Sequence, residues 1–285
     1  MALKLALLDV GGRIEDALVL APLVEGLGYT RYWIAEHQPQ PSPILLAAIV
    51  AGQTTSIRVG TAGVLLHYHP PLRTAHDFRF LERVFPDRID AGFCGGMTPD
   101  RGLVEADRDG RDFATIFSAY AERVGQLASH LRASDAGLAW PFGADIPPQI
   151  WSLGGGLRSA KLAAAHGLSF GYSLLYSHSV DDAANLQAYR DAFRPHPDLA
   201  APAAVVAVCG VCARTDDEAK QLAERVAGSF FTARVVGSPT TCAAQLREIA
   251  DRYGVAEIAF ADLCIEIDDR TRCHELLAAA VVRSV

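Results

Sequence analysis

The sequence predicts a single α/β domain, residues 1–285, folded as a (βα)8 barrel of the TIM type, and three observations predict it. Eight short apolar runs of strand character are spread along the chain, and a helix-length segment follows each. No linker-like stretch, repeat or low-complexity segment divides it. Half of the residues are hydrophobic, which supplies a large core for a chain of this length. Strands separated by helices pair in parallel through right-handed crossovers. Strand count alone does not establish closure, so a doubly wound open sheet is the runner-up.

Leu3–Asp9 is the first β-run and stops at Val10-Gly11-Gly12. Glu15–Leu27 is an amphipathic helix with Gly28 as its closing glycine. Tyr32–Ala35 is the second strand, and Ser42-Pro43 opens the next helix in the favoured cap-then-proline order. Ile57–Ala62, Pro71–Phe85 and Arg88–Phe93 follow as strand, helix and strand. Met97–Arg111 reads as a charged surface loop, and Phe113–Leu131 as a helix. Ile150–Leu153 and Leu168–Tyr172 are strands, with the helix Ser159–His166 between them. The helix Asp181–Phe193 leads to the strand Ala203–Val211. Thr215-Asp-Asp-Glu218 has capping-box spacing ahead of the helix Ala219–Ala227. A helix from Ser238-Pro239 to Tyr253-Gly254, the strand Glu257–Ala261 and the helix Thr271–Val282 complete the chain.

The bulk numbers exclude several classes. A formal charge of −7 without a Lys/Arg cluster argues against nucleic acid. The apolar start is too short for a signal peptide, and no run approaches the ~18 apolar residues of a membrane span, so a cytoplasmic protein is expected. Six scattered cysteines suit reduced thiols better than a disulfide framework. Cys209-Gly-Val-Cys212 has knuckle spacing but lies in a strand with no further ligands, so no metal is expected there.

Chemistry in parallel sheets gathers at the C-terminal strand ends. Three successive ends, at Glu36-His37, Ala62-Gly63 and Gly95-Gly96, are offered to one pocket. His37 reads either as a structural imidazole or as a proton carrier working near neutral pH. Gly154-Gly155-Gly156 precedes a helix, where backbone amides suit a phosphate. His67-Tyr68-His69 crosses the mouth; two imidazoles without a carboxylate make a weak metal site, and lining of a substrate pocket is the alternative. No GxGxxG follows a predicted strand, so internal reduction by a nicotinamide is not indicated.

YWIAEHQ, SIRVGTAGVLL, FRFLERVFPDRIDAG, WSLGGGLRSAKLAAAHGL and RVVGSP, in matching order over nearly the whole chain, resemble the luciferase-like flavin monooxygenase family. That resemblance implies a barrel binding reduced FMN, or in one branch a deazaflavin, at the C-terminal mouth. O2 adds to the flavin, and the adduct oxidises a small organic substrate. It further implies a separate flavin reductase as partner and a homodimer.

Carried onto this sequence, His37 is the catalytic residue, followed by Gln38 where members often have a second His. Ala62 and Gly63 stand where the family backbone bulges beneath the flavin ring. Gly154, Gly155, Gly156 and Leu157 match the phosphate turn, with glycines where Ser is common. Cys94 stands where bacterial luciferases carry a reactive thiol. Gly95 takes the place of an Arg that grips the phosphate, and Arg158 is the nearest substitute. The insert before RVVGSP is nearly absent, which predicts a less covered pocket. Those departures keep two alternatives open: a flavin-binding protein without turnover, and a flavin-independent enzyme doing non-redox chemistry such as cyclisation or rearrangement.

Overall fold

The computed structural model describes residues 3–37, 42–96, 102, 112–132, 146–226 and 230–282. Gln38 and nearly all of the Met97–Arg111 loop lie outside them. The barrel strands are β1 (Lys4–Asp9), β2 (Arg31–Ile34), β3 (Arg58–Thr61), β5 (Ile89–Cys94), β6 (Gln149–Gly154), β7 (Ser169–Ser173), β8 (Ala204–Cys212) and β10 (Glu257–Asp262). Two further strands, β4 (Val64–Leu65) and β9 (Ala233–Gly237), sit at the mouth. The helices are α1 (Ile14–Gly26), α2 (Pro43–Gln53), α3 (Pro71–Val84), α4 (Phe113–Ser118), α5 (Tyr120–Arg132) and α6 (Leu157–Ala165). They continue with α7 (Ala183–Ala192), α8 (Asp216–Arg225), α9 (Pro239–Tyr253) and α10 (Ile267–Val281).

The sheet runs β10-β1-β2-β3-β5-β6-β7-β8, wholly parallel, and the β8–β10 pairing closes it. Closure removes the open-sheet runner-up. The eight barrel strands coincide, within a residue or two, with the eight apolar runs of the sequence.

Strand alternation sorts side chains into two layers. Leu8, Trp33, Trp151, Leu153, Ala207 and Ala261 fill the barrel interior, whereas Leu5, Leu7, Tyr32, Phe93 and Phe260 face the helices. The same alternation explains the fate of Cys209-Gly-Val-Cys212. Residues three apart on a strand point to opposite faces, so Cys209 joins the interior and Cys212 the outer layer. All six thiols are free.

Local signals behave as their chemistry requires. Gly28 and Gly254 close α1 and α9 at φ +86° and +59°, conformations that a Cβ penalises. Ser42 and Ser238 precede helices with proline in the first turn. Thr215 Oγ1 accepts the Glu218 amide at 3.1 Å at the start of α8.

The segment read as one helix over Phe113–Leu131 is two, α4 and α5, broken at Ala119. β9 was unread because it serves the mouth alone: it pairs with the upper part of β8, past a bulge at Cys209/Gly210. Gly210 permits that approach, since a Cβ there would lie 2.0 Å from Val235 O.

At the base of the barrel, Arg31 bonds Asp90 at 2.6 Å and Glu257 at 3.0 Å, and Arg58 reaches Asp90 at 2.8 Å. The Arg31 guanidinium lies over the Trp151 ring, 4.7 Å from its centroid. Among the described residues, no helix is long and apolar enough to cross a membrane.

Candidate active site

A cavity of about 450 Å³ opens at the C-terminal mouth between the ends of β3, β5, β6 and β7. Of the residues singled out in the sequence, Ala62, His67, Cys94, Gly95, Gly154, Gly155, Gly156 and Arg158 line it. His37, Gly63, Leu157, Tyr68 and His69 do not. A second cavity of about 420 Å³ lies at the base, against the paired Arg31, Arg58 and Glu257. Its position at the N-terminal strand ends is that of a stabilising face in this fold.

The glycines of the mouth have different causes. A Cβ on Gly63 would lie 2.7 Å from the Phe93 backbone, and one on Gly154 2.4 Å from Ser159. Packing between strand ends, and between turn and helix, therefore accounts for both without any ligand. Gly156 is the opposite case. Nothing stands within 4 Å of a Cβ there, at the point where α6 begins. The peptide between Ala62 and Gly63 is cis.

His37 ends the second strand segment, and its ring meets Phe231 edge-on with centroids 5.9 Å apart. Its Nδ1 is buried and finds no hydrogen-bond partner among the described residues. Burial lowers its pKa, against the opposing pull of Glu36 and Asp9, so the imidazole is neutral at pH 7. Glu36 is the anchor of the neighbouring loop: Oε2 accepts the Leu65 amide at 2.7 Å, and Oε1 binds His69 Nε2 at 2.7 Å. His69 is thus a tether for its loop. Arg123 of α5 adds bonds to Leu66 O and His69 O. Tyr68 is half-buried in the same turn, its amide donating to Leu65 O at 2.9 Å. His67 turns inward, and its Nε2 donates to Gly95 O at 3.2 Å.

Cys94 donates to Gly63 O at 3.5 Å. Burial first, then Glu36, push its thiol up to about 11, outweighing the backbone bonds that favour the thiolate. At neutral pH it is a protonated, weakly nucleophilic thiol.

Gly95 has a concrete reason to lack a side chain. A Cβ would come within 3.1 Å of the Tyr120 ring, which covers this strand end and packs on His67 with centroids 4.8 Å apart. Arg158, exposed in the first turn of α6, makes no ion pair among the described residues.

Several lining groups were not legible beforehand. Ser159, Ser173 and Ser179 bring hydroxyls to a turn that offers only amides itself. Ser159 Oγ donates to Gly156 O at 2.8 Å, and Ser179 Oγ accepts the Tyr176 amide at 3.1 Å. Ser173 Oγ, on a residue 9% exposed, has no partner among the described residues. Phe117, Tyr120, Tyr176 and His178 supply rings. Ser173 was findable as the last residue of a strand; the rings, on helices and loops, carried no such signal.

Barrel, mouth cavity and a helix-capped glycine turn define an enzyme-type α/β barrel, and comparison with known proteins assigns it. The family model for luciferase-like monooxygenases matches residues 5–257, so the chain belongs to the luciferase-like monooxygenase family, a family of oxidoreductases. A luciferase-like monooxygenase of Escherichia coli (strain K12) is 31% identical, over 81% of this chain and 72% of that protein. YceB of Bacillus subtilis (strain 168) is 30% identical over 93% of this chain and 92% of its own length. Among solved structures, apo-MsnO8 is similar at a TM-score of 0.86 and 29% identity, covering 98% of each chain. The oxygenating constituent of 3,6-diketocamphane monooxygenase from Pseudomonas putida, in complex with FMN, shares the fold at a TM-score of 0.76 and 18% identity, covering 100% of this chain and 99% of that one.

Proposed function

We propose that this protein is the oxygenase of a two-component monooxygenase, taking reduced FMN from a separate flavin reductase and using O2 to oxidise a small organic substrate. The observation that carries the reading is the meeting of Arg158 with the Gly154–Gly156 turn in the mouth cavity. The residues fit a flavin phosphate: a nine-residue helix presents its N-terminus, a guanidinium without an ion pair among the described residues stands in its first turn, and Gly156 leaves the approach open. The bound flavin would supply the two electrons that activate O2.

The protein's own residues would do the rest. Arg158 and the turn amides hold the phosphate, while Ala62, Cys94 and Gly95 form a floor of small residues, with Gly63 packed behind it against the Phe93 backbone. Gly155 and Leu157 complete the turn. His67, Tyr68 and His69 shape the substrate side, with Tyr68 and His69 acting through the loop they hold rather than by contact. His37, neutral because it is buried, accepts or returns one proton through Nδ1.

Arg158→Ala should raise the FMN Kd by roughly one to two decades, the effect of losing a charge-assisted bond. Unchanged affinity in a fluorescence titration would remove that role. His37→Ala should slow turnover by about 10²-fold or more while FMN affinity holds. Full activity would exclude it.

One observation favours a second reading. Tyr120 fills the side of Gly95 where a phosphate-gripping Arg would stand, which suits a different cofactor, such as a deazaflavin, or none at all. Titrating FMN, reduced FMN and a deazaflavin in parallel decides between them.

Two further features of the resemblance gain support. Leu45 and Ile49 on α2, with Leu72, Phe80 and Val84 on α3, are apolar and 43–68% exposed, which suits a homodimer contact on these helices. Sedimentation of the purified chain tests it. The free thiols suit a reducing cytoplasm, where a reductase partner would be at hand.

A further inference from the structure

The polar groups of the mouth cavity are one-sided in their chemistry. Among the described residues neither Asp nor Glu lines it, and its one Lys or Arg is Arg158. Hydroxyls of Tyr120, Ser159, Ser173, Tyr176 and Ser179 join the amides at the start of α6. A wall of donors with one cation and no carboxylate suits an anion.

Two of these hydroxyls have no partner in the protein. Ser173 Oγ is buried and unpaired, and the Ser173 carbonyl stands 3.0 Å from the place of a Cβ on Gly155. β7 thus brings an unpaired donor up to the glycine turn. Tyr120, the first residue of α5, makes no hydrogen bond through its hydroxyl among the described residues.

The Tyr120 ring is held from two sides. His67 packs on it with centroids 4.8 Å apart, and Gly95 leaves the room it occupies. The ring atom nearest a Cβ on Gly95 would be Cζ, at 3.1 Å, the carbon that carries the hydroxyl. The phenol end therefore covers the end of β5, on the cavity wall. Burial first, then Cys94, push this phenol well above its ordinary value, against the pull of Arg158. It stays protonated at neutral pH and remains a donor. Tyr176, the other phenol of the cavity, has the thiols of Cys94 and Cys209 as its charged neighbours, not Arg158.

Gly95 and Tyr120 work as a pair: the strand gives up a side chain, and the helix returns a hydroxyl to the same place. Resting on the flavin reading, we propose that Tyr120 is a phosphate-binding residue, its hydroxyl donating to a phosphate oxygen of the FMN that Arg158 and the turn amides hold.

The test is a fluorescence titration of the full chain with FMN and riboflavin, which differ only in the phosphate. Tyr120→Phe keeps the ring over Gly95 and deletes a hydroxyl without a partner in the protein, so it should melt with the parent. Its FMN Kd should rise about tenfold, the lower end for a hydrogen bond to a charged group, while its riboflavin Kd stays within about twofold. An FMN Kd within about twofold of the parent's overturns the proposal and leaves the flavin reading standing. Equal weakening of both flavins overturns it too, because the hydroxyl would then meet the ring or the ribityl chain. A parent that holds FMN no better than riboflavin has no phosphate seat, and the proposal fails there as well. Binding of neither flavin to the parent would refute the flavin reading, and the role of Tyr120 with it.

Discussion

Two flanks of the same barrel mouth use their polar residues in opposite ways. On the β1/β10 flank, Arg270 of α10 binds Asp9 at 3.0 Å, Asp16 at 3.1 Å and Asp262 at 3.0 Å, all buried. Tyr32 donates to Asp9 at 2.7 Å, and His274 bonds both Asp262 and Tyr29 at 3.1 Å. On the β2–β7 flank, His37 Nδ1 and Ser173 Oγ have no partner among the described residues. One flank spends its hydrogen-bonding capacity on holding α1 and α10 to the strands. The other keeps capacity in reserve, at a cost that a bound ligand can offset.

The sharpest way to break this comparison is to remove one arginine from each flank. Arg270→Ala leaves three buried carboxylates without their cation, and should cost ~3–5 kcal/mol, read as a melting point lower by roughly 10 °C or more. Arg158→Ala should melt within about 0.5 kcal/mol of the parent, as exposed substitutions do. A large drop in the second melt would mean that this flank is structural too.

A glycine pair gives the next largest contrast. Gly63→Ala forces a Cβ into the Phe93 backbone and should destabilise by ~1–3 kcal/mol in urea unfolding. Gly156→Ala, with an extended backbone and open space ahead, should unfold like the parent.

Acid separates the flanks more gently. Burial would raise the Asp262 carboxyl, but Arg270 and His274 outweigh it and hold it below the usual range. Its stabilisation is therefore complete above the ordinary carboxylate pKa of 3.8 and is lost only as pH falls below it. For His37 burial depresses a base, so the unfolded chain takes up the proton first and stability declines once pH drops below 6.5. Unfolding curves between pH 7 and 5 should show that shallow decline. His37→Leu should remove its share and leave that of His166, which is lowered by burial and by Arg132 and Arg194.

The smallest effect is expected at Ser173. Ser173→Ala deletes an unpartnered buried hydroxyl, so stability should hold or rise slightly in thermal melts, while FMN affinity falls by a few-fold if that hydroxyl meets the ligand.

Much of the fold was legible because its signals are local. Apolar runs, cap residues and Gly28 or Gly254 announce strands and helix ends within a few positions of themselves. The strand-end residues of the mouth were legible for the same reason. Tyr120, Tyr176 and Phe231 were not, because no short spacing tells which way a ring on a helix or loop turns. Gly63 and Gly154 were visible as glycines, but their cause, contact with Phe93 and Ser159, is tertiary. The Arg270 cluster was least accessible of all: Arg270 and Asp9 are 261 positions apart.

β8 also bears on how this scaffold can change. Its lower part pairs with β7, its middle with β10, and beyond the bulge it pairs with β9. The stretch between α8 and β9 therefore ends on a strand that the ring itself does not need. Trimming, lengthening or grafting that stretch would retune what the protein admits while barrel closure stays constant. It is the natural place for a loop-exchange library aimed at new substrate scope.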